Sequence, residues 1–554
     1  MLDWHPLVIT MAISRRKFLK KGVQGASLVS GLGLSGLSAA FAGNEEKVDA
    51  NTGLPENESE KPKKQEEPIK KTSAEEPVAN QEQELPAPKL PTIKGQIVST
   101  SDPEFNDARK NYNGRFDIKP KYIFYCENEN DISETIRWAR EQKLKVAIRS
   151  GGHSYEAFSL VQDGVVIDVS KMNNVQIDSA KKIARVGAGT TLIPLYDALW
   201  QKRVVVPAGS CETVGIAGVA LGGGFGLLAR SMGLSCDNIQ TIRMIDAEGK
   251  TVVADAKTNS DLLWACKGGG AGNFGVITQL TFKVHPINNV TIIRLRWNWQ
   301  DMKAIIEAWQ NWAPNTDSRL TSVLTMSSKG ANSLMLLGMF LGPPAQASAL
   351  IQPMVQAAKP VKEAIELSSF IDAAHRFSGF KRPKFPPAAH EAANHEALPE
   401  TVHMHAHPRF KNTSDYINSN LSSEAIDTII KFLTECPIRS SCVQFDSYGG
   451  AITKVPADAT AFCHRAGTKF CMHYQCSWGH ASDDSTGITW INSFRQAMQA
   501  YASGFSYANY CDSTIEDFAH RYFGDNVARL SEVKRKYDPE GFFSFPQSIP
   551  VSSV

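Results

Sequence analysis

The sequence predicts an α+β fold in two lobes, one glycine-rich and shaped around an extended ligand, the other an antiparallel sheet backed by helices. Three observations carry that expectation. The 554 residues are 42% hydrophobic, enough apolar material for more than one packed core. Three dense glycine clusters crowd the stretch from Arg149 to Thr278, where helix or strand interiors would not tolerate them without reason. Beyond them, strand-like and helix-like patterns alternate through Thr291 to Trp297, Met302 to Trp312, Leu334 to Leu341 and Phe470 to Ser477.

Residues 1–42 read as a targeting segment. Arg15 and Arg16 precede a Gly- and Ser-rich apolar run from Gly22 to Ala39, and Ala40-Phe41-Ala42 offers a small-x-small cleavage site. The pattern resembles a twin-arginine export signal, which implies passage of the folded protein through the twin-arginine machinery to the periplasm or the outside. The run falls short of the about 20 strongly apolar residues of a membrane helix, so no stable span is expected in the mature form. An uncleaved anchor is the alternative, and Met11 competes with Met1 as the start. Residues 43–96 are rich in Glu, Lys, Pro, Gln and Asn and too polar to offset the entropy of ordering, so they read as a tether. Lys and Arg (59) nearly balance Asp and Glu (57), and no basic stripe with interleaved aromatics appears, which argues against a nucleic-acid partner.

After the tether, Asp131 to Lys143 places Ile132, Ile136 and Ala139 on one helical face, and Lys145 to Ile148 follows as a short buried strand. The strand runs into Arg149-Ser150-Gly151-Gly152-His153-Ser154-Tyr155, where paired glycines let backbone approach a ligand and turn amides toward an anion. The second cluster runs from Pro207-Ala208-Gly209-Ser210-Cys211 through Val214, Gly215 and Gly218 to Gly222-Gly223-Gly224-Phe225-Gly226. The third, Gly268 to Thr278, ends in Gly275-Val276-Ile277 and a strand-like run. Three such loops imply one extended cofactor. It is not NAD: Gly187-Ala188-Gly189 supplies two glycines of a dinucleotide fingerprint, but Thr-Thr-Leu follows where the third belongs.

In order along the chain, RSGGHSY (Arg149 to Tyr155), PAGSCETVG (Pro207 to Gly215), LGGGFG (Leu221 to Gly226), GLSCDN (Gly233 to Asn238), GGGAGNFGVIT (Gly268 to Thr278) and YDPEGFFSFPQSIP (Tyr537 to Pro550) form an ordered set. That set resembles the berberine-bridge-enzyme-like oxidases of the vanillyl-alcohol-oxidase superfamily. The resemblance implies a two-subdomain PCMH-type FAD-binding lobe over residues 97–288, a substrate lobe over 289–500, and a segment over 501–554 that returns to the FAD lobe. It implies FAD bonded through its 8α-methyl group to His153 and through C6 to Cys211, which immobilises the ring and raises its potential. It also implies that the named residues of the three clusters line the cofactor, together with Asn509 of the Tyr-x-Asn segment.

The same resemblance implies a reaction. A hydroxylated substrate passes hydride to flavin N5, and a valine at position 214 is associated with access of dioxygen, a leucine with its exclusion, so an oxidase yielding hydrogen peroxide is expected. Tyr507 is the candidate base, although a phenol with a pKa near 10 needs help to serve as one. His473 stands where relatives set a substrate-facing polar side chain, acidic in the plant enzyme that names the family; a histidine there puts that enzyme's alkaloid chemistry in doubt. Two alternatives stand beside this reading: a dehydrogenase or oxidative cyclase of a secondary metabolite, and a binding protein of another class that keeps the fold without catalysis.

Three further patterns are weighed and set aside. His403, His405 and His407 alternate as metal ligands would, but only Glu400 is near enough to help complete a shell, so no metal is expected. Ten cysteines in an exported chain invite disulfides, with Cys436 and Cys442 the closest candidates, yet connectivity depends on geometry. Trp297, Trp299, Trp309 and Trp312 sit in patterns that more often build core than sugar platforms.

Overall fold

The structure, a computed structural model, describes residues 89–378 and 407–552. The export signal, His403 and His405 lie outside the described residues. Within the stretch read as a tether, Trp138 Nε1 donates to Lys89 O at 2.9 Å, and Lys94 N donates to Asp131 at 2.9 Å. The first strand, Gln96–Ser99, follows directly.

The glycine-rich lobe holds two larger sheets and a two-stranded pair of Val204–Val205 with His285–Pro286. Strands Gln96–Ser99, Tyr122–Tyr125, Val165–Asp168 and Val146–Arg149 lie side by side in that order, the last three parallel. The helix Glu129–Glu141 covers them with Ile132, Ile136 and Ala139, all fully buried. It starts two residues before its expected position because Asn128 is the cap, its side chain accepting from Asp131 N at 3.1 Å. Asp131 instead turns inward to receive the amides of Lys94, Gly95 and Glu127. The second sheet is five-stranded and antiparallel, with Val276–Lys283 between Ile183–Gly187 and Ile239–Ile245.

The other lobe is a seven-stranded antiparallel sheet. Its order is Lys362–Ser369, Asn289–Trp297, Leu334–Phe340, Leu320–Ser327, Ser441–Ser447, Phe470–Trp478 and Arg409–Ile417. One face carries Leu295, Leu336, Leu324, Phe445 and Met472 into a core shared with the helices Met302–Trp312, Ser423–Thr434 and Asp484–Met498. Trp297 and Trp309 belong to that core, and Trp299 and Trp312 pack against it. Side chains two apart along a strand share a face, so Gln444 and Asp446 point away from the helices, and Gln444 lies opposite His473. That second face meets the glycine-rich lobe.

Candidate active site

The glycine loops converge at the ends of the first lobe's strands. Arg149 closes its strand, and its guanidinium is buried, paired with Asp168, and donates to Ala108 O at 2.7 Å and Tyr125 Oη at 3.3 Å. Gly151 and Gly215 are glycines because two loops touch backbone to backbone there. A Cβ on Gly151 would lie 2.3 Å from Gly215 N, and one on Gly215 would lie 2.2 Å from Ser150 Oγ. Ser150 Oγ itself donates to Ala188 O at 2.6 Å. Gly222 and Gly223 lie under Asn509 and Tyr507, while Gly218 opens on space where an added Cβ meets nothing within 4 Å. Gly224 takes φ +86° with Ser235 Oγ only 2.2 Å from where a Cβ would sit, so both backbone and space demand glycine. Gly275, Val276 and Ile277 pack into the sheet against Met244 and Ile245.

Two residues the sequence reading passed over hold His153 and Cys211. Tyr112 stacks on the His153 ring at 4.1 Å, and Thr213 Oγ1 lies 2.7 Å from His153 Nε2. Burial holds His153 down to about 3, so the imidazole is neutral. Burial likewise pushes the Cys211 thiol up to about 11, against the amides of Thr213 and Val214, which favour the thiolate. Ser154 lies near Cys511, its Oγ 3.9 Å from the sulfur.

An aromatic stack closes over this cradle, with His473 from the sheet lobe, Tyr510 from the C-terminal return and Tyr155 from the first glycine loop. His473 is 3.8 Å from Tyr510 and 5.9 Å from Tyr155, the rings nearly parallel. Both His473 nitrogens are buried without a hydrogen-bond partner, and burial lowers the imidazole to about 3. Tyr510 Oη donates to Asp446 Oδ2 at 3.1 Å, and Gln444 Nε2 donates to Asp446 Oδ1 at 2.7 Å. Burial pushes that carboxyl up to about 7. Tyr507, the candidate base, meets the second glycine cluster. Its oxygen accepts from Gly224 N at 2.8 Å, Phe225 N at 3.3 Å and Asn509 Nδ2 at 2.7 Å, so it bolts the C-terminal return to the glycine loop. Tyr510, three residues on, is the tyrosine set beside His473 and a carboxylate. A signal for Asp446 was present in SCVQFDS, where an acid alternates with Val443 and Phe445 in a strand-like run.

The comparisons with known proteins agree with this architecture. The FAD binding domain family matches residues 120–255 and the berberine and berberine-like family matches residues 506–550. An uncharacterized FAD-linked oxidoreductase of Bacillus subtilis, YgaK, is 36% identical over 464 residues, covering 83% of this chain and 97% of its own. The chain belongs to the berberine-bridge-enzyme-like FAD-linked oxidoreductases. Among solved structures, BBE-like 1 of Physcomitrella patens superposes with a TM-score of 0.76 at 30% identity, over 83% of this chain and 98% of that one. A chitooligosaccharide oxidase superposes with a TM-score of 0.73 at 25% identity, over 82% and 97%.

This berberine-bridge-like oxidoreductase has a cradle that fits FAD. Thr190 Oγ1 is buried without a partner beside the Gly187-Ala188-Gly189 turn, Gly218 faces open space, and the His473 nitrogens lack partners. The loops of Ser150 to Tyr155 and Cys211 to Gly218 would hold it. A buried ion cluster fixes the loop after His153 to the sheet: Lys411 Nζ lies 2.5 Å from Glu156 Oε1 and 2.5 Å from Asp512 Oδ1. All ten cysteines, Cys436 and Cys442 included, are unpaired. His407 Nδ1 is bonded to Asn111 O at 2.7 Å.

Proposed function

We propose that this oxidoreductase carries FAD on both His153 and Cys211 and oxidises the hydroxyl of a sugar, oligosaccharide or other alcohol, with dioxygen as acceptor and hydrogen peroxide as product. The observation that carries the reading is the stack of Tyr155, Tyr510 and His473, with Asp446 behind it, over a cradle edged by His153 and Cys211. FAD, when bound, supplies the two-electron acceptor.

The chain's own task is to take the hydroxyl proton. Tyr510 is not a ready phenolate, because desolvation first and the charge of Asp446 next raise it well above its ordinary value. Asp446 titrates near pH 7, where a general base works best. The substrate proton therefore passes to Tyr510 Oη as Tyr510's own proton passes to Asp446, which Gln444 holds in place. The neutral, unpartnered His473 offers the substrate oxygen a hydrogen bond. Tyr507 keeps its bonds to the glycine loop throughout. Val214, beside Cys211, supports return of electrons to dioxygen, and the chitooligosaccharide oxidase among the structural neighbours is in keeping with a carbohydrate donor. The Arg15-Arg16 pair and the apolar run after it support export of the folded holoprotein to the periplasm or beyond.

The test joins two measurements on purified holoprotein. Yellow colour that stays with the acid-denatured chain, and peroxide release on addition of oligosaccharides or aromatic alcohols, are expected. A chain with no bound flavin overturns the reading. Anaerobic bleaching by substrate followed by slow reoxidation in air turns it to a dehydrogenase.

A further inference from the structure

His153 has two ring nitrogens, and the structure treats them differently. Nε2 lies 2.7 Å from Thr213 Oγ1, while no bond to Nδ1 occurs among the described residues. The ring plane is fixed by Tyr112, stacked at 4.1 Å with 21° between the planes. Tyr112 is itself anchored through its amide, which donates to Gly152 O at 2.9 Å. Thr213 sits two residues after Cys211, and its amide N–H supports the Cys211 sulfur. One residue thus touches one attachment side chain with its hydroxyl and the other with its backbone.

We propose that Thr213 is a positioning residue for flavin attachment: its hydroxyl occupies Nε2 of His153 and commits Nδ1 to the bond with the cofactor. The inference rests on the covalent reading given above. In attachment, the Nδ1 lone pair forms a C–N bond to the flavin methyl carbon. The methyl group and the imidazole N–H each lose one proton, and the electron pair of the broken C–H bond leaves to dioxygen, giving hydrogen peroxide. Before the bond forms, Nε2–H donates to Thr213 Oγ1; afterwards Nε2 holds a lone pair and Oγ1–H donates to it. A hydroxyl serves both states because it donates and accepts. Valine, of the same shape, serves neither, and the ring is then free to present its tautomers in either sense. Threonine's amide persists in any variant, so the Cys211 bond is an internal control.

The experiment expresses the full chain as wild type, Thr213→Val and Thr213→Ser, and measures by peptide mass the flavin carried on the His153 peptide and on the Cys211 peptide. Wild type is expected to carry both. Thr213→Val is expected to lose at least tenfold of the His153 adduct while keeping the Cys211 adduct, and Thr213→Ser to restore both. A Thr213→Val protein with His153 loaded as in wild type overturns the inference and leaves the covalent reading standing. Loss of both adducts in the Val and Ser variants alike also overturns it, since a merely structural role would produce that. Wild type without flavin on either peptide removes the covalent reading first, a result distinguishable from both.

Discussion

Asp446 gives the sharpest test of how this site works, because its stability cost and its chemical use have opposite signs. The carboxyl is 1% exposed and burial lifts it from 3.8 to about 7. A folded-state value above the unfolded one means that the anion is disfavoured by folding, so stability falls as pH climbs from about 4 to about 7 and stays reduced above that. Roughly three pH units at about 1.4 kcal/mol each amount to about 4 kcal/mol of folding stability forgone at pH 8. Asp446→Asn removes the titration. It sacrifices one of two hydrogen bonds, since an amide has a single acceptor oxygen for Tyr510 Oη and Gln444 Nε2, at about 1 kcal/mol.

The variant should therefore gain on wild type by about 3 kcal/mol between pH 5 and pH 8, read by urea unfolding of both holoproteins at the two values. Its turnover should fall by roughly 10²- to 10⁴-fold, and the rise of wild-type flavin reduction through pH 7, followed by anaerobic stopped flow, should disappear. A stability difference that does not change with pH would refute the reasoning at its root, because Asp446 would then not titrate in that window. An unchanged rate with the stability swing intact would refute only the proton relay.

Three other outcomes follow from the same geometry. Lys411→Met should destabilise by about 3–5 kcal/mol in urea, because Asp512 is left buried without its cation and Glu156 keeps only Arg115, at 3.3 Å; a loss below about 1 kcal/mol would show the cluster to be without net effect. Tyr507→Phe should cost about 1–3 kcal/mol by stranding the Gly224 and Phe225 amides, with Asn509 keeping its bond to Val219 O, yet keep turnover, whereas Tyr510→Phe should abolish turnover. The reverse pattern would return the proton to Tyr507. Val214→Leu should slow reoxidation by air roughly tenfold, about 1.4 kcal/mol of barrier, with anaerobic reduction unchanged; equal reoxidation rates would detach Val214 from oxygen access.

Much of this was legible before the structure, and what was not has a common cause. The helix Met302–Trp312 has the bounds its apolar spacing predicts, and the strands Leu334–Phe340 and Phe470–Trp478 lie within a residue of theirs. Periodicity reports which face of an element is buried, and that is a local property. The ordered glycine motifs placed the cradle for the same reason, since close backbone contact demands glycine wherever the chain goes. The feature that distinguishes Tyr507 from Tyr510 is not local. Both stand in one short segment, and only the partners of their hydroxyls separate them: loop amides in one case, an acid 64 residues away in the other. Arg149 was expected to line the cofactor with the glycines beside it, and the aspartate its guanidinium pairs with, 19 residues on across a parallel strand pair, is a partner that local pattern does not show.

The two halves of the site are specified by different kinds of constraint, and this decides where mutations should act. Gln444, Asp446 and His473 share a face only because Ser441–Ser447 and Phe470–Trp478 pair in one register; a slip of one residue between the two strands would put His473 on the opposite face from Gln444 and Asp446. That register is held by a large apolar interface containing Val443, Phe445, Met472 and Tyr474, so the proton-accepting half is rigid and tolerant of change in the loops. His153 and Cys211 stand on loops whose mutual position depends on the contact of Gly151 with Gly215 and on Thr213. Lys411 joins the halves, since Glu156 follows His153 by three residues and Asp512 follows Tyr510 by two. Loop substitutions should therefore show first in cofactor loading and sheet-face substitutions first in turnover, with Lys411→Met alone disturbing both.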